Sequence, residues 1–485
     1  MRIAFWFRSD LRIKDNLALE TACQKATDGV LALFFWSFQQ WKEHDWADVK
    51  IDFLRRNLEK LQESLEALHI PLGLYRVSFF KEIPEVLEEV LHQYRCHALY
   101  FNQEYEVHEQ KRDQEVEQRL KKRGYDVSRF QDQRILAPET LRKKDGGVYT
   151  VYTPFKKNWL RQVELQKIPS KKEVSVQKPL PLLFSVPTRV FLEEEKKKSK
   201  SESRFLSELW PAGERVALQA LDFFIDKKIL HYHEKRDFPA LEGTSCLSPY
   251  LALGVISPYS CFQKALEQLP KKEESVGRRI WVDELIWREF YRYILVAFPR
   301  VSKNRAFREN TEGIPWREDR EQFERWCQGE TGIPLIDAAM RQLRVTGWMH
   351  NRLRMLTATF LTKNLLISWR WGERFFMQNL VDGDLANNNG GWQWSASTGT
   401  DALPYFRVFN PYHQSKKYDP EGVFIRKYVP ELESLSIQEI HDPKKCSLIL
   451  RRTGLKYPQA MVDCQETRKR ALEIFRKSLK KSKKV

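Results

Sequence analysis

At 485 residues the chain is long enough for two or three domains with substantial cores, and with 30% charged and 42% hydrophobic residues it reads as an ordinary soluble protein. No apolar run reaches the roughly 18–20 residues that span a bilayer, and the charged start MRIAFWFRSDLR argues against a secretory signal. The formal net charge of +17 favours polyanions, and fits equally an anionic surface or simply a soluble basic protein, while seven scattered cysteines with no C-x-x-C pair argue for a reducing compartment and against a disulfide framework or a zinc site.

Short β-forming runs at 2–7 (RIAFWF), 30–36 (VLALFFW), 72–77 (LGLYRV) and 98–102 (ALYFN) alternate with helical patterns at 48–69, about 83–94 and 107–123. This alternation predicts βαβ units and a doubly wound parallel sheet, whose ligands sit beyond the carboxyl ends of the strands. The chain has neither G-x-G-x-x-G nor G-x-x-x-x-G-K-[ST], so a standard dinucleotide or phosphate loop is not expected. By itself the turn RSDLRIKDN (8–16) reads as a solvated charged loop. In YEVHEQKRD, Glu109 falls in a first helical turn, where an acid complements the helix dipole. Residues 165–205, rich in Lys, Glu, Ser and Pro and ending in EEEKKKSKSESR, read as a solvated crossing or a flexible excursion. The expected division is an α/β domain at 1–130, a linker at 131–204 and an all-helical domain at 205–485.

From about residue 205 helical patterning dominates. In the run Thr244-Ser245-Cys246-Leu247-Ser248-Pro249, Ser248 is a candidate N-cap with Pro249 at the first helical position; clustered hydroxyls there either cap the helix or offer a phosphate site. WVDELIWREFYRYIL (281–295) puts Glu284, Trp287, Arg288 and Tyr291 on one helix face. That face is either a half-exposed edge with a Glu–Arg pair or the wall of a pocket for a flat ligand. GWMHNRLRMLTATFLTKNLLI (347–367) reads as a second helix, with Asn351 and Met355 one turn apart and Arg354 able to face Asp382. The most informative stretch is 382–411, DGDLANNNGGWQWSASTGTDALPYFRVFNP. It sets the amides of Asn388 and Asn389 on backbone that Gly390 and Gly391 can bend sharply, beside Trp392, Trp394, Asp382, Asp384 and Asp401. Such a set suits a flat polar heterocycle; on composition alone it equally suits a surface loop anchored by tryptophans. The basic end RKRALEIFRKSLKKSKKV reads as a solvated helix face.

The string DGDLANNNGGWQWSASTGTDA followed by PYFRVFNP closely resembles the flavin-binding core of the photolyase/cryptochrome family. The resemblance runs from Phe7 to about Leu432: RSDLRIKDN is similar to the family opening, TSCLSPYLALG to its pyrophosphate segment, and MHNRLRM to members that act on cyclobutane pyrimidine dimers. The chain most resembles the class I dimer photolyases of the folate-antenna type. The resemblance implies an α/β antenna domain, a linker and a helical FAD domain. It also implies light-driven electron transfer from reduced FAD to the dimer and back. FAD would be held by Tyr232, Arg236, Thr244, Ser245, Leu247, Ser248, Arg288, Arg354, Asp382, Asp384 and Asn388, the last facing flavin N5. Cys246 stands where many relatives carry Arg. The lesion would meet Glu284, Trp287, Asn351, Met355 and Trp394, with Glu284 donating a hydrogen bond as a protonated acid. Trp392, Trp369 and Trp316 match a chain that carries electrons to an oxidised flavin, although composition alone favours reading each as a core aromatic. His108, Glu109 and Lys303 match contacts to a 5,10-methenyltetrahydrofolate antenna, with His108 in place of the usual Asn. Damaged DNA is the implied partner, and a monomer with no metal is expected, cytoplasmic in a prokaryote and nuclear in a eukaryote. The alternatives are a cryptochrome-type photoreceptor and a non-catalytic basic flavoprotein. The short tail after the family core and the dimer contacts, which are intact in type, favour repair. His350-Asn351, where the (6-4) branch carries two histidines, argues against that branch.

Overall fold

The computed structural model describes the chain except for residues 167–173, 181–187, 199–203, 268–275, 443–444, 447, 449–453, 455 and 482–485. Two compact units interleave along the sequence. The first comprises Met1–Leu230, Ser245–Pro299 and Val381–Gly383; the second comprises His231–Thr244, Arg300–Leu380 and Asp384–Val485.

The first unit is built on a parallel sheet of β1 (Ile3–Phe7), β2 (Val30–Trp36), β3 (Leu72–Arg76), β4 (Ala98–Asn102) and β5 (Asp126–Phe130), in the order β3-β2-β1-β4-β5. Every residue of β1 and β2 is buried, which is why both read as unbroken apolar runs. Four strands and the helices Asp48–Glu66, Ile83–Gln93 and Val107–Lys122 follow the expected runs. The helix Leu17–Lys25 and the edge strand β5, DVSRF, were not expected; a polar, part-exposed edge carries no apolar signal.

The turn after β1 is not solvated. Arg8, Asp10, Arg12 and Asn16 are all buried. Arg8 pairs with Asp113 at 3.0 Å, Arg12 with Asp132, and the Asn102 amide donates to Asp10 and Asn16 at 2.6 and 2.8 Å. Burial pushes the Asp10 carboxyl up to about 6, against the pull of Arg8. The charges find partners more than eighty positions away, so the local sequence reads as polar while the loop is core. This loop also seats the chain that follows the hydroxyl-rich run. Leu11 N–H donates to Leu253 O at 3.2 Å, and Arg12 to Gly254 O at 3.1 Å. Gly254 has φ +63°, and a Cβ there would fall 2.1 Å from Ser9 O, so only glycine permits the approach.

Part of the expected linker is ordered rather than a solvated crossing. The helix Thr188–Lys198 buries Phe191 and Leu192, and its Glu194 and Glu195 pair with Arg76 at 2.7 and 2.9 Å. The other linker stretches 167–173, 181–187 and 199–203 lie outside the described residues.

The second unit is helical. Its core gathers Trp326, Ile336, Met340, Leu343, Leu353, Leu361, Phe376 and Trp392. The expected helix over 347–367 is shorter and interrupted. It begins at Asn351, runs to Thr359, and passes into a π-helical turn at Phe360–Asn364. No helix of the described residues is long and apolar enough to cross a membrane.

Candidate functional site

The stretch that dominated the sequence forms a helix, Leu385–Ala396, with both glycines inside it. The expected sharp bend at Gly390-Gly391 is absent; neither has a positive φ. Two local features overcome the poor helix propensity of three asparagines and two glycines. Asp384 caps the N-terminus, accepting from Asn387 N–H at 2.9 Å and from the Asn387 amide at 2.7 Å. Behind the helix runs a buried network: the Asn389 amide donates to Glu373 at 2.8 Å, the Gln393 amide donates to Asn389 at 2.8 Å, and Phe307 N–H donates to Gln393 at 2.7 Å. Asn388, half-buried, is oriented by the Glu373 carbonyl at 2.9 Å. A Cβ added at Gly391, one turn on, would meet no atom of the described residues within 4 Å, so open space flanks the turn that carries Asn388.

Trp392 is 3% exposed and packs edge-on against Phe376 at 5.0 Å and Trp326 at 6.0 Å. A Cβ at Gly372 would lie 2.1 Å from its ring, so that glycine lets the indole lie against the helix Trp369–Met377. Trp369 is fully buried, with the Arg370 guanidinium 4.6 Å over its ring. Trp316 is half-buried and edge-on to Phe475 at 5.9 Å. Trp392 and Trp369 belong to one hydrophobic cluster, and Trp316 packs against it. Trp394 is half-buried on the same helix as Trp392.

In the same unit Asn351 is exposed and Met355 half-buried, while Arg354 donates to Met349 O at 2.8 Å. The Arg352 guanidinium, between them, pairs with Asp237 at 2.8 Å and lies 4.7 Å over Tyr418. Tyr232 is buried, with the Arg236 guanidinium 5.1 Å over its ring, and Thr244 is half-buried. Lys303 is exposed at the end of a short 3₁₀ turn.

His350 caps the helix Asn351–Thr359 through Nδ1, which accepts from Arg352 N–H at 3.2 Å. Burial pushes it down to about 4, outweighing the attraction of Asp237. As pH falls, the unfolded chain takes up this proton first, near 6.5, and the folded chain only near 4. His350 therefore contributes a loss of stability on the order of 3 kcal/mol across that window. His350→Asn, which keeps a capping oxygen, should flatten the acid side of the stability–pH curve between about pH 6.5 and about pH 4. Denaturant melts at stepped pH check this; an unchanged curve contradicts it.

In the first unit, Glu284, Trp287, Arg288 and Tyr291 lie on the helix Val276–Ala297, and all four are half-buried, as expected of one face. Trp287 stacks flat on Tyr152, at 3.6 Å and 6°. Arg288 donates to the carbonyls of Gln133 at 2.9 Å and Leu251 at 3.4 Å. Ser245 and Ser248 are half-buried, Leu247 is buried, and Cys246 is exposed with φ +51°. Ser248 does not cap. The helix Ser248–Ala252 starts one residue earlier than expected, with Leu247 in the cap position and no side-chain capping bond. Asp382 is buried in the segment Val381–Gly383, which Lys50 ties down through Gly383 O at 2.7 Å.

Glu109 lines a small pocket beyond the carboxyl ends of the strands, with Trp6, Arg8, Trp41, Glu104 and Arg112. Burial opposes the ionised form of Glu104, but Arg112 and Arg8 hold it down at about 2. His108 is exposed and meets His44 at 2.8 Å, and His44 pairs with Glu109 at 3.4 Å. Burial works against the His44 cation, yet Glu109, Glu106 and Glu43 raise its pKa. His44, Tyr152, Gly372 and Glu373 were missed by sequence reasoning. Each acts through a partner distant in the chain, or through a bare Cα, and none sits in a motif.

Within the second unit, the half-buried Asn388 amide beside open space can hydrogen-bond the edge of a flat polar ring. The family model described as the FAD binding domain of DNA photolyase matches residues 281–477, and the model described as DNA photolyase matches residues 3–175. A Vibrio cholerae protein named deoxyribodipyrimidine photo-lyase is 42% identical over 97% of this chain and 98% of its own. Among solved structures, a class III photolyase from Agrobacterium tumefaciens superposes with a TM-score of 0.87 at 34% identity, covering 99% of this chain and 98% of that one. A cryptochrome from Synechocystis superposes with a TM-score of 0.81 at 26% identity, covering 98% and 99%.

Proposed function

The chain belongs to the photolyase/cryptochrome family, and from that premise we propose that it repairs cyclobutane pyrimidine dimers in DNA by light, with FAD as cofactor. The observation that carries the reading is end-to-end identity of 42% with a deoxyribodipyrimidine photo-lyase. The cryptochrome reading has less support, since that relative is 26% identical.

When bound, reduced FAD supplies on excitation the electron that opens the cyclobutane ring and takes it back, so no net redox change occurs. The chain's residues position and shield. Asn388, oriented by Glu373, addresses the flavin N5 edge. Asp382 and Asp384 accept from N–H or hydroxyl groups, and Thr244, Ser245, Ser248, Arg236 and the backbone at Leu247 serve the diphosphate. Tyr232, Arg288 and Arg354 complete this set. A dimer is flipped out of the duplex, which costs less than for an intact step because the lesion stacks and pairs poorly. Trp287 and Trp394 offer faces to its bases, Glu284 and Asn351 its carbonyl edge, and Met355 its apolar side. Trp392, Trp369 and Trp316 carry electrons inward when the flavin is oxidised. His108, Glu109 and Lys303 serve a folate antenna; residues 1–130 are the antenna domain, 131–204 the linker and 205–485 the cofactor and DNA domain. A monomer in the cytoplasm completes the reading.

Heat denaturation should release a yellow, non-covalent chromophore from protein purified without flavin stripping; a colourless supernatant refutes the cofactor assignment. Binding to DNA should be salt-sensitive, because phosphate contacts release counterions. With a few such contacts, affinity should fall on the order of 100-fold between low and moderate salt. Titration of dimer-containing duplex at stepped salt checks this, and a salt-independent dissociation constant contradicts it.

A further inference from the structure

Lys363 is the one fully buried lysine without a carboxylate partner that we find among the described residues. It is 0% exposed and sits in the π-helical turn Phe360–Asn364, a rare geometry often found at functional positions. Its Nζ donates to Ser397 Oγ at 2.7 Å and to Ala396 O at 3.4 Å, at the C-terminal end of the helix Leu385–Ala396. The same Nζ lies 3.7 Å over the ring of Phe475, and Phe475 is edge-on to Trp316 at 5.9 Å. Tyr405 lies parallel to Phe475 on a further side, and Ile314 and Leu366 close the cluster.

We infer that Lys363 is a positioning residue for the electron route. It holds the C-terminal end of the helix that carries Asn388 and Trp392, and it sets a buried amine behind Phe475, within electrostatic reach of Trp316. The inference rests on the tryptophan route proposed above. When one electron passes from Trp316 by way of Trp369 and Trp392 to photoexcited, oxidised FAD, which would be the one-electron acceptor, Trp316 is left an indole cation radical until a thiol reductant in solution refills it. An ammonium at Lys363 repels that cation and favours return of the electron. A neutral amine does not, and the separated charge lives longer.

Burial alone pulls the Lys363 amine down, to about 7, so both forms are populated near neutrality. Several charged groups on the packed elements are engaged elsewhere. Arg470 donates to Asn364 O at 2.8 Å, Arg317 to Asp319 at 2.7 Å, Arg370 to Glu312 at 2.7 Å, Arg352 to Asp237 at 2.8 Å, and Glu373 accepts from Asn389 at 2.8 Å. A low-dielectric site with no acid among the described residues paired to the amine makes its charge felt by its neighbours.

The test is flash spectroscopy of the tryptophan radical in FAD-loaded, oxidised protein, with a thiol as reductant. In the wild type the radical's lifetime should rise about threefold or more between about pH 6 and about pH 8.5. Lys363→Met should hold the high-pH lifetime throughout, and Lys363→Arg the low-pH one. A Lys363→Met protein that keeps the wild-type slope overturns the inference. Should both variants misfold, Ser397→Ala, which removes the acceptor at 2.7 Å, should move the midpoint; an unmoved midpoint overturns it equally. A second readout needs no flavin. The unfolded amine binds its proton at higher pH than the folded one, so wild-type stability falls as pH drops from about 10.5 to about 7, and Lys363→Met should lack that slope. Trp392→Phe separates the two ideas: a radical signal that survives it refutes the route itself, while a lost signal leaves the route standing and Lys363 to be judged on its own slope.

Discussion

Replacing Trp392 by Phe should lower photoreduction of oxidised FAD by about 100-fold, the equivalent of about 2.7 kcal/mol in barrier, while repair by chemically reduced protein stays close to wild type. The indole sits between two roles that the mutation separates. As a packing group it meets Phe376 and Trp326 edge-on, and a phenyl ring preserves most of that contact. As an electron carrier it is irreplaceable by Phe, whose ring is far harder to oxidise. Trp369, in the same hydrophobic cluster, is fully buried, so in the proposed route it would pass the electron on without contact with solvent. The check is flavin absorbance under blue light with a thiol donor, beside a repair assay after dithionite reduction. Undiminished photoreduction refutes the route; loss of both activities makes Trp392 a packing residue.

Glu284→Ala and Trp287→Ala should fail in opposite ways. Trp287 is held flat by Tyr152 at 3.6 Å, which fixes the plane a base would meet. Base–aromatic stacking is typically worth ~1–3 kcal/mol per base, so Trp287→Ala should weaken damage-specific binding by roughly tenfold or more. Glu284 lies on the same face, one turn before Trp287 and Arg288, and its proposed hydrogen bond matters most once the dimer carries the extra electron. Glu284→Ala should therefore lower repair per absorbed photon by about tenfold and binding by less than about threefold. Dissociation constants and saturated repair yields, measured separately, decide both. Wild-type yield in Glu284→Ala removes its catalytic role, and wild-type affinity in Trp287→Ala misplaces the lesion contact.

The parallel sheet was legible because strands buried on both faces, as β1 and β2 are, read as unbroken apolar runs. The helix face at Glu284, Trp287, Arg288 and Tyr291 was legible because its spacing is local. What was not legible was long-range. RSDLRIKDN looks solvated because Asp113 and Asp132, the partners of Arg8 and Arg12, lie far along the chain. Gly390-Gly391 looks like a bend, yet with the Asp384 cap and the Glu373–Asn389–Gln393 network the helix runs unbroken through it. The capping reading of Ser248 failed by one residue, the usual resolution of helix starts read from sequence. Tyr152 under Trp287 and Lys363 behind Phe475 carry no motif; only the folded chain brings them together.

Light-driven repair of cyclobutane pyrimidine dimers is the activity on which every residue role above depends. The most direct measurement is the fraction of dimers reversed in a defined duplex after illumination of the FAD-loaded, reduced protein, with an identical sample kept dark. The account predicts reversal in the light and none in the dark, with flavin still reduced at the end. Bound dimer DNA and fully reduced flavin with no reversal under illumination would contradict it.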